Sequence, residues 1–455
     1  MKTKMDRVGF VLLLVGLVFG SDLLFSHSGL MLFGDYCIFI ELCGWFAIFL
    51  GCIILIIKRH GNIPLICMCI LSGAVLIMSF LFLRVTINNR IVEIGSIRRI
   101  YYTFDNVRLL SKVQYMSLCE VGRELTELLL NMMFTEYLLF FVYVYRLWKK
   151  SLYDNKIEKF LKYYIVYLIS YFLAKSLIGF YYRTGGIFTL FVVVLTVISQ
   201  LYMLILYVFL ALKILEVNVN NKFIGKILNF SSVSEKEPVN YNIRTGLVIC
   251  SVILFFVGIL WLNENLVKID GADSRYTYYA ALLYWVFILI GSLLLKPLKS
   301  KSVKFVTALS VYNLVVFLVI VFHNYSNIQY LVELRRYRLC AVIPEGYRGI
   351  RSTLDFFVTM AYYSRGILFI TILLFMIEYI PKFPYKKAAN ISLYSYIIFL
   401  ILHMITACQL TDSMYFGLYE HNVVLWNNIA YQLENIALTI TCMGLLLQCK
   451  KSNER

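Results

Sequence analysis

The sequence predicts an all-α, polytopic integral membrane protein with about twelve transmembrane helices. The chain of 455 residues is 61% hydrophobic and its mean hydropathy is +0.77, a composition outside the range of soluble domains. Its apolar segments are about 18 to 25 residues long, which is the length that a helix needs to cross a bilayer. Lipid offers no hydrogen-bond partner to backbone groups, and the alternation typical of barrel strands is absent, so the spans are expected to be helices.

The apolar segments follow one another in two groups of six. Their approximate bounds are 8–26, 36–57, 63–84, 124–145, 163–182, 187–213, 246–262, 277–295, 305–323, 356–379, 391–409 and 428–448. The first resembles a signal peptide, but no small-residue cleavage site follows it, so we expect it to remain as a span. The cysteines form no Cys-x-x-Cys pair. We therefore predict neither a metal site nor a cofactor.

The loops differ in the type of cation that they carry. The more cationic set includes both ends of the chain, so the positive-inside rule predicts cytoplasmic termini. These loops carry mostly lysine, whereas the opposite loops carry arginine at every cationic position except Lys112 and Lys268. Because arginine binds phosphate and carboxylate with two parallel hydrogen bonds, we predict an outward surface that binds anions. Its candidate residues are Arg98, Arg99, Arg335, Arg336, Arg338, Arg348 and Arg351. The alternative is that they contact lipid headgroups or pair with neighbouring acidic residues.

The two groups of spans are predicted to be a parallel internal repeat. The first half covers 1–213, with an outer amphipathic segment at 85–123, and the second covers 244–455, with an outer basic segment at 324–355. The polar stretch 214–243 is predicted to be a cytoplasmic linker. Charged pairs recur at one offset: Arg98-Arg99 matches Arg335-Arg336, and Lys149-Lys150 matches Lys386-Lys387. In major-facilitator-type transporters such repeats place the site between the halves. Apolar residues three to four apart in 104–123 predict a helix at the membrane interface.

Among the ionisable residues within the apolar segments, six stand out: Glu41, Glu136, Lys175, Arg365, His403 and Glu434. A charge at the bilayer centre costs about 2.5 to 3.5 kcal/mol on insertion scales, so each is expected to have a partner or a role. Glu136 and Lys175 fall at matching depths near the midplane, which predicts an ion pair between neighbouring helices. Such a pair would either couple protons to transport or clamp the two helices. Glu41 has no evident partner.

The second group of these residues comes from three spans in the second half. Arg365, His403 and Glu434 lie at similar distances from the outer ends of their spans, so they are expected to meet. A cation, a histidine and a carboxylate at one depth can bind an anion or shuttle a proton. The alternative is a satisfied polar cluster that packs three helices together.

Motif composition excludes several soluble enzyme classes. The chain has no phosphate loop, no Gly-rich dinucleotide turn, no HExxH and no Gly-x-Ser-x-Gly. The first functional hypothesis is therefore a transporter or flippase in the cell membrane. It would move a phosphate- or carboxylate-bearing substrate through a site between the halves. Expected partners are the lipid bilayer and an anionic small molecule or lipid-linked phosphate, with no nucleic acid. The frequent Ile, Phe, Tyr and Lys residues are typical of a bacterial protein.

Two other hypotheses remain open. The stretch from His323-Asn324 through Gln329 to Glu333 resembles the His-Asn…Leu-Gln…Glu stretch of O-antigen ligase-type proteins, with one extra position and Ile328 in place of leucine. This resemblance implies an envelope-polysaccharide polymerase or ligase that acts on lipid diphosphate-linked sugars. His323 would then be the base, and the arginines at 335, 336 and 338 would hold the diphosphate. The third hypothesis is a receptor-like or scaffold protein with a cytoplasmic partner.

Overall fold

The computed structural model describes most of the predicted spans. It covers residues 4–21, 37–58, 63–87, 90–93, 132–150, 154–184, 187–214, 274–295, 300–323, 348–380, 385–412 and 420–451, with 122, 125–126, 129–130 and 152. The helices are α1 (Lys4–Phe19), α2 (Cys37–Lys58), α3 (Ile63–Phe82), α4 (Met133–Lys150), α5 (Asn155–Thr184), α6 (Ile187–Ile214), α7 (Ser274–Leu294), α8 (Lys301–His323), α9 (Arg348–Tyr379), α10 (Lys386–Asp412) and α11 (Glu420–Lys451). Two strands, β1 (Arg84–Ile87) and β2 (Arg90–Glu93), follow α3.

The predicted helical class is confirmed within these residues. Every predicted span except 246–262, which lies outside the described residues, overlaps a helix. Four helical segments are long and apolar enough to cross a membrane: Cys37–Ile57, Ile63–Phe82, Val194–Ala211 and Lys301–Val319. They belong to α2, α3, α6 and α8. The chain is thus a helical protein with four candidate membrane spans in its described part.

The antiparallel hairpin β1–β2 is a departure from the all-α prediction. Arg84 pairs with Glu93, and Val85 pairs with Val92. Valine, isoleucine and threonine favour extended backbone, and both strands are built largely from them. The sequence analysis missed the hairpin because four-residue strands carry a weak pattern directly after an apolar helix. The interfacial helix predicted over 104–123 lies outside the described residues, apart from Gly122.

The chain divides into two compact units. The first contains residues 1–232 and 407–415, and therefore α1 to α6. The second contains 233–406 and 416–455, and therefore α7 to α11 without the 407–415 stretch. A common origin of the two units by duplication stays a prediction.

In the first unit, glycines let α1 and α2 pack with their backbones in contact. A Cβ on Gly16 would lie 2.5 Å from the backbone nitrogen of Ile48, and a Cβ on Gly51 would lie 2.7 Å from the carbonyl oxygen of Gly9. Real Cβ atoms are not found at such distances, so only glycine fits at these positions. Small residues at helix contacts are the usual means of close packing in membranes.

Aromatic rings pack α4, α5 and α6 of the first unit against one another. The Tyr137 ring meets Tyr171 edge-to-face at 5.0 Å and Tyr167 at 5.5 Å, and Phe140 meets Tyr207 at 5.6 Å. All five residues are buried. Edge-to-face contacts contribute beyond the burial of their area, so these rings fix how α4 and α5 are rotated against each other.

In the second unit, polar side chains link each helix to the next. The hydrogen bonds are Thr307 Oγ1 to Ser292 Oγ (3.0 Å), Ser364 Oγ to Asn313 Oδ1 (2.8 Å), Tyr396 Oη to the Phe369 carbonyl (2.5 Å) and Ser395 Oγ to the Ala437 carbonyl (2.7 Å). They join α7 to α8, α8 to α9, α9 to α10 and α10 to α11. Consecutive helices therefore lie side by side, and one level of the unit can collect side chains from several helices.

Gln448, which is buried, ties the end of α11 to the start of α10. Its Nε2 donates to the Tyr385 carbonyl at 2.8 Å, and its Oε1 accepts from the Tyr385 N–H at 2.9 Å. We expect Gln448→Leu to lower the free energy of unfolding by about 2 kcal/mol, because two hydrogen bonds are lost. The Tyr385 carbonyl keeps its bond from the Ala389 N–H. Chemical unfolding in detergent micelles measures this. Thr439→Val is the control, since Thr439 is exposed and bonds only within α11. Equal effects of the two changes would contradict the prediction.

Candidate functional site

Three side chains from three helices of the second unit form a hydrogen-bonded chain, here called the Arg–His–Glu chain. Arg365 lies on α9, His403 on α10 and Glu434 on α11. Arg365 Nη2 is 3.2 Å from His403 Nε2, and His403 Nδ1 is 3.1 Å from Glu434 Oε2. The structure therefore brings together the three residues that the sequence placed at one depth.

The chemistry of the partners decides where the protons lie. A guanidinium has only N–H donors, so His403 Nε2 must accept with its lone pair. His403 Nδ1 then carries the proton and donates it to the Glu434 carboxylate. In this arrangement the imidazole is neutral and separates a cation from an anion. The Arg–His–Glu chain as a whole is electrically neutral.

Two phenylalanines hold the imidazole in place. The His403 ring meets Phe369 edge-to-face at 5.1 Å and stacks on Phe399 at 5.6 Å. The Arg365 guanidinium carbon lies 5.5 Å from the centre of the Phe369 ring, within range of a cation–π contact. These rings lower the local dielectric, and charges interact more strongly there than in water.

The two ends of the Arg–His–Glu chain differ in exposure. The Glu434 side chain is 1% exposed and the His403 side chain 18%, while Arg365 is half-buried. The carboxylate is therefore the deep end, and the guanidinium belongs to the more accessible part. A ligand or proton that arrives from solvent would reach the imidazole or the guanidinium before the carboxylate.

Asn313 supports this site, and the sequence analysis did not select it. Ser364, the neighbour of Arg365, donates to Asn313 Oδ1 at 2.8 Å, and Asn313 Nδ2 donates to the Leu309 carbonyl within α8 at 2.8 Å. Asn313 and Ser364 are both buried. This bond fixes the rotation of α9 and hence the position of Arg365. The signal was present in the sequence, because an asparagine in the middle of an apolar span needs a partner.

The ion pair predicted between Glu136 and Lys175 stays a prediction, because the side chain of Lys175 is not among the described residues. Both carboxylate oxygens of Glu136 are buried without a hydrogen-bond partner among the described residues. The prediction measured depth from the cytoplasmic ends of the two spans. In the structure α4 begins at Met133 and ends at Lys150, and Glu136 lies in its first turn. The α5 residues that face this turn are Tyr167 and Tyr171, which contact Tyr137. Lys175 lies one turn further along α5, and its side chain is outside the described residues.

The remaining candidates are placed only in part. Glu41 is buried on α2 and is not isolated, since it interacts within the protein. His323 is the last residue of α8, and the helix α9 begins with Arg348 and includes Arg351; the side chains of all three are outside the described residues. Arg98, Arg99, Arg335, Arg336 and Arg338 lie entirely outside them. The outer anion surface and the ligase hypothesis therefore stay predictions. Within the described part, no three His, Cys, Asp or Glu side chains could share a metal ion.

Comparisons with known proteins add nothing to this geometry. No protein-family model, curated protein or solved structure matches the chain. The function is therefore argued from the Arg–His–Glu chain itself.

Proposed function

We propose that this protein is a membrane transporter or flippase for an anion that bears phosphate or carboxylate, and that Arg365 binds the anion. The observation that carries the proposal is the contact between Arg365 and a neutral imidazole. A guanidinium held by a lone pair is bound less strongly than one held by a carboxylate. An incoming anion can therefore displace His403 from Arg365. Glu434 cannot compete for Arg365 while His403 lies between them.

Protonation of His403 would couple anion binding to proton binding. A proton on Nε2 turns this atom from an acceptor into a donor, so it can no longer hold Arg365. The imidazolium keeps its Nδ1 hydrogen bond and forms an ion pair with Glu434. Arg365 then turns to the anion. Each ligand favours binding of the other, as thermodynamic linkage requires.

The charge balance favours movement of the two ligands together. The empty Arg–His–Glu chain is neutral, and it is neutral again with one proton and one monovalent anion bound. The Arg–His–Glu chain carries a net charge when it holds only the proton or only the anion. A net charge among apolar helices is costly, so the empty and fully loaded forms are the ones expected to change conformation. The proposed mechanism is proton–anion symport.

The proposed topology keeps twelve spans, a repeat of six and cytoplasmic termini in the cell membrane. The distribution of lysine and arginine supports the orientation, and the four candidate spans support the membrane location. In this arrangement the outer arginines, including Arg98 and Arg335, would attract the anion before it reaches Arg365. Electrostatic attraction of this kind raises association rates.

Anion-dependent stabilisation of the purified protein tests the proposal. We expect inorganic phosphate, glycerol 3-phosphate or succinate to raise the midpoint of thermal unfolding relative to chloride at equal ionic strength, because a ligand stabilises the state that binds it. The effect should be larger at about pH 6 than at about pH 8, where fewer imidazoles are protonated. Arg365→Gln should abolish it. Lys304→Gln removes an exposed cation of α8 and should retain it.

Two results would contradict the proposal. The first is that none of the three anions stabilises the wild-type protein. The second is that Arg365→Gln responds to the anions as the wild type does. A loss of activity in vivo on His323→Ala, with Arg365→Gln still active, would favour the ligase hypothesis instead.

A further inference from the structure

Glu136 is a buried acid in the first unit and takes no part in the Arg–His–Glu chain. Its side chain is 0% exposed, and neither carboxylate oxygen has a hydrogen-bond partner among the described residues. It lies directly after an irregular turn, in which Thr135 N and Glu136 N both donate to the Met132 carbonyl. An unpartnered, fully buried carboxyl group is rare enough to require an explanation.

Within the described part of the chain, the titratable groups near Glu136 are of types that are uncharged at neutral pH in their ordinary state. Cys52 on α2, Cys69 on α3 and Tyr164 on α5 are close enough to interact with it electrostatically. The Tyr164 hydroxyl is engaged elsewhere, with Tyr207 at 3.2 Å and the Tyr137 carbonyl at 3.3 Å. No lysine or arginine among the described residues forms an ion pair with Glu136.

The hydroxyl of the neighbouring tyrosine is occupied as well. Tyr137 Oη donates to the Leu17 carbonyl on α1 at 3.2 Å. Among the described side chains of the helices that pack around Glu136, none supplies a donor or a cation to its carboxyl group. An ionised carboxylate would be an uncompensated charge among aromatic rings and thiols. Burial of such a charge costs far more than burial of a neutral acid.

We propose that Glu136 is a proton-binding site of the first unit, occupied by a proton while the helices enclose it and emptied when water reaches it. This site is separate from the Arg–His–Glu chain, and its existence does not depend on anion transport. Its ligand is the proton alone. It gives the protein a second group, besides His403, that can take up and release a proton during a conformational cycle.

Polar groups at the α5–α6 contact offer a route for that proton. The Tyr167 hydroxyl, whose ring meets Tyr137, is buried without a hydrogen-bond partner among the described residues. One turn further, Ser170 Oγ and Ser199 Oγ are 3.1 Å apart, and Gln200 Nε2 donates to Ser21 Oγ at 3.2 Å. Buried polar groups without partners are the usual sites of ordered water. Water along this contact would connect Glu136 with the end of α1.

Infrared spectroscopy of the full chain in lipid nanodiscs tests the proposal. The carbonyl stretch of a protonated carboxylic acid is expected in the wild type at neutral pH and is lost in Glu136→Gln. Glu158→Gln is the matched control, because Glu158 forms an ion pair with Lys162 at 2.6 Å. In the wild type the band should decrease reversibly as the pH is raised, while the helical circular dichroism signal is retained.

Thermal unfolding gives a second, independent measurement. The midpoint of the wild type should fall between about pH 6 and pH 9 more than that of Glu136→Gln, because ionisation of an unpartnered buried acid destabilises the folded state. If Glu136→Gln does not fold, Glu136→Asp replaces it, and its carboxylic-acid band should be shifted from that of the wild type.

The proposal is overturned if the band survives unchanged in Glu136→Gln. It is equally overturned if the wild-type band persists at every pH at which the helices stay folded. Neither result bears on anion binding by Arg365.

Discussion

Gly44→Ala is expected to lower the free energy of unfolding by about 3 kcal/mol or to prevent folding altogether. The added Cβ would overlap the backbone nitrogen of Gly20 and the carbonyl carbon of Phe19. Both atoms belong to the backbone, so no change of side-chain rotamer relieves the overlap, and α1 would have to move away from α2. The measurement is the yield of monodisperse protein by size-exclusion chromatography, followed by thermal unfolding.

Gly73→Ala on α3 is the matched control. Its Cβ would lie 3.1 Å from Phe49 Cε2, and the edge of a side-chain ring can shift by the few tenths of an ångström required. Alanine is also a better helix former than glycine by up to about 1 kcal/mol. We expect a change of less than about 1 kcal/mol in either direction. Similar losses in Gly44→Ala and Gly73→Ala would show that close backbone contact is not what holds α1 and α2 together.

Glu434→Leu is expected to cost about 3 kcal/mol of folding free energy, because the charge on Arg365 loses the anion that balances it. Arg365→Leu should cost a similar amount, because Glu434 loses the cation that balances it across His403. The double variant should recover most of the sum, because neither charge then remains in the bundle. Chemical unfolding of all four proteins in detergent micelles gives the coupling free energy from the double-mutant cycle.

Additive losses would contradict electrostatic coupling through His403. Ser395→Ala supplies the comparison within the same pair of helices, since it removes one hydrogen bond to the Ala437 carbonyl. Its cost should be about 1 kcal/mol. Combined with Arg365→Leu, it should be additive, because Ser395 shares no partner with the Arg–His–Glu chain.

One property of membrane spans made the positions of the helices predictable from the sequence. It also made predictable that Arg365, His403 and Glu434 meet. A span must be apolar over a set length, so charged residues inside it stand out, and their distances from the ends of the spans estimate their depth. The helices α9 and α11 begin at 348 and 420, not at the predicted 356 and 428, and α10 ends at 412, not at 409. All three errors lengthen the helices at their outer ends, so the three residues still fall at one level.

The same reasoning misplaced the start of α4, because hydropathy does not register an irregular turn. The segment from 124 to 145 is one apolar run, yet α4 begins only at Met133. Glu136 therefore lies in the first turn of this helix, beside Tyr137, which contacts Tyr167 and Tyr171 on α5.

The sequence by itself determined that the chain is helical, where most helices lie and which ionisable residues are enclosed by them. These properties follow from composition along one segment at a time. Only the tertiary structure decided the partners: His403 lies between Arg365 and Glu434, and Glu136 has none among the described residues. A partner depends on the rotation of each helix and on its packing distance. Both arise from contacts between segments far apart in the chain, such as the glycine contacts of α1 with α2, and no local pattern encodes them.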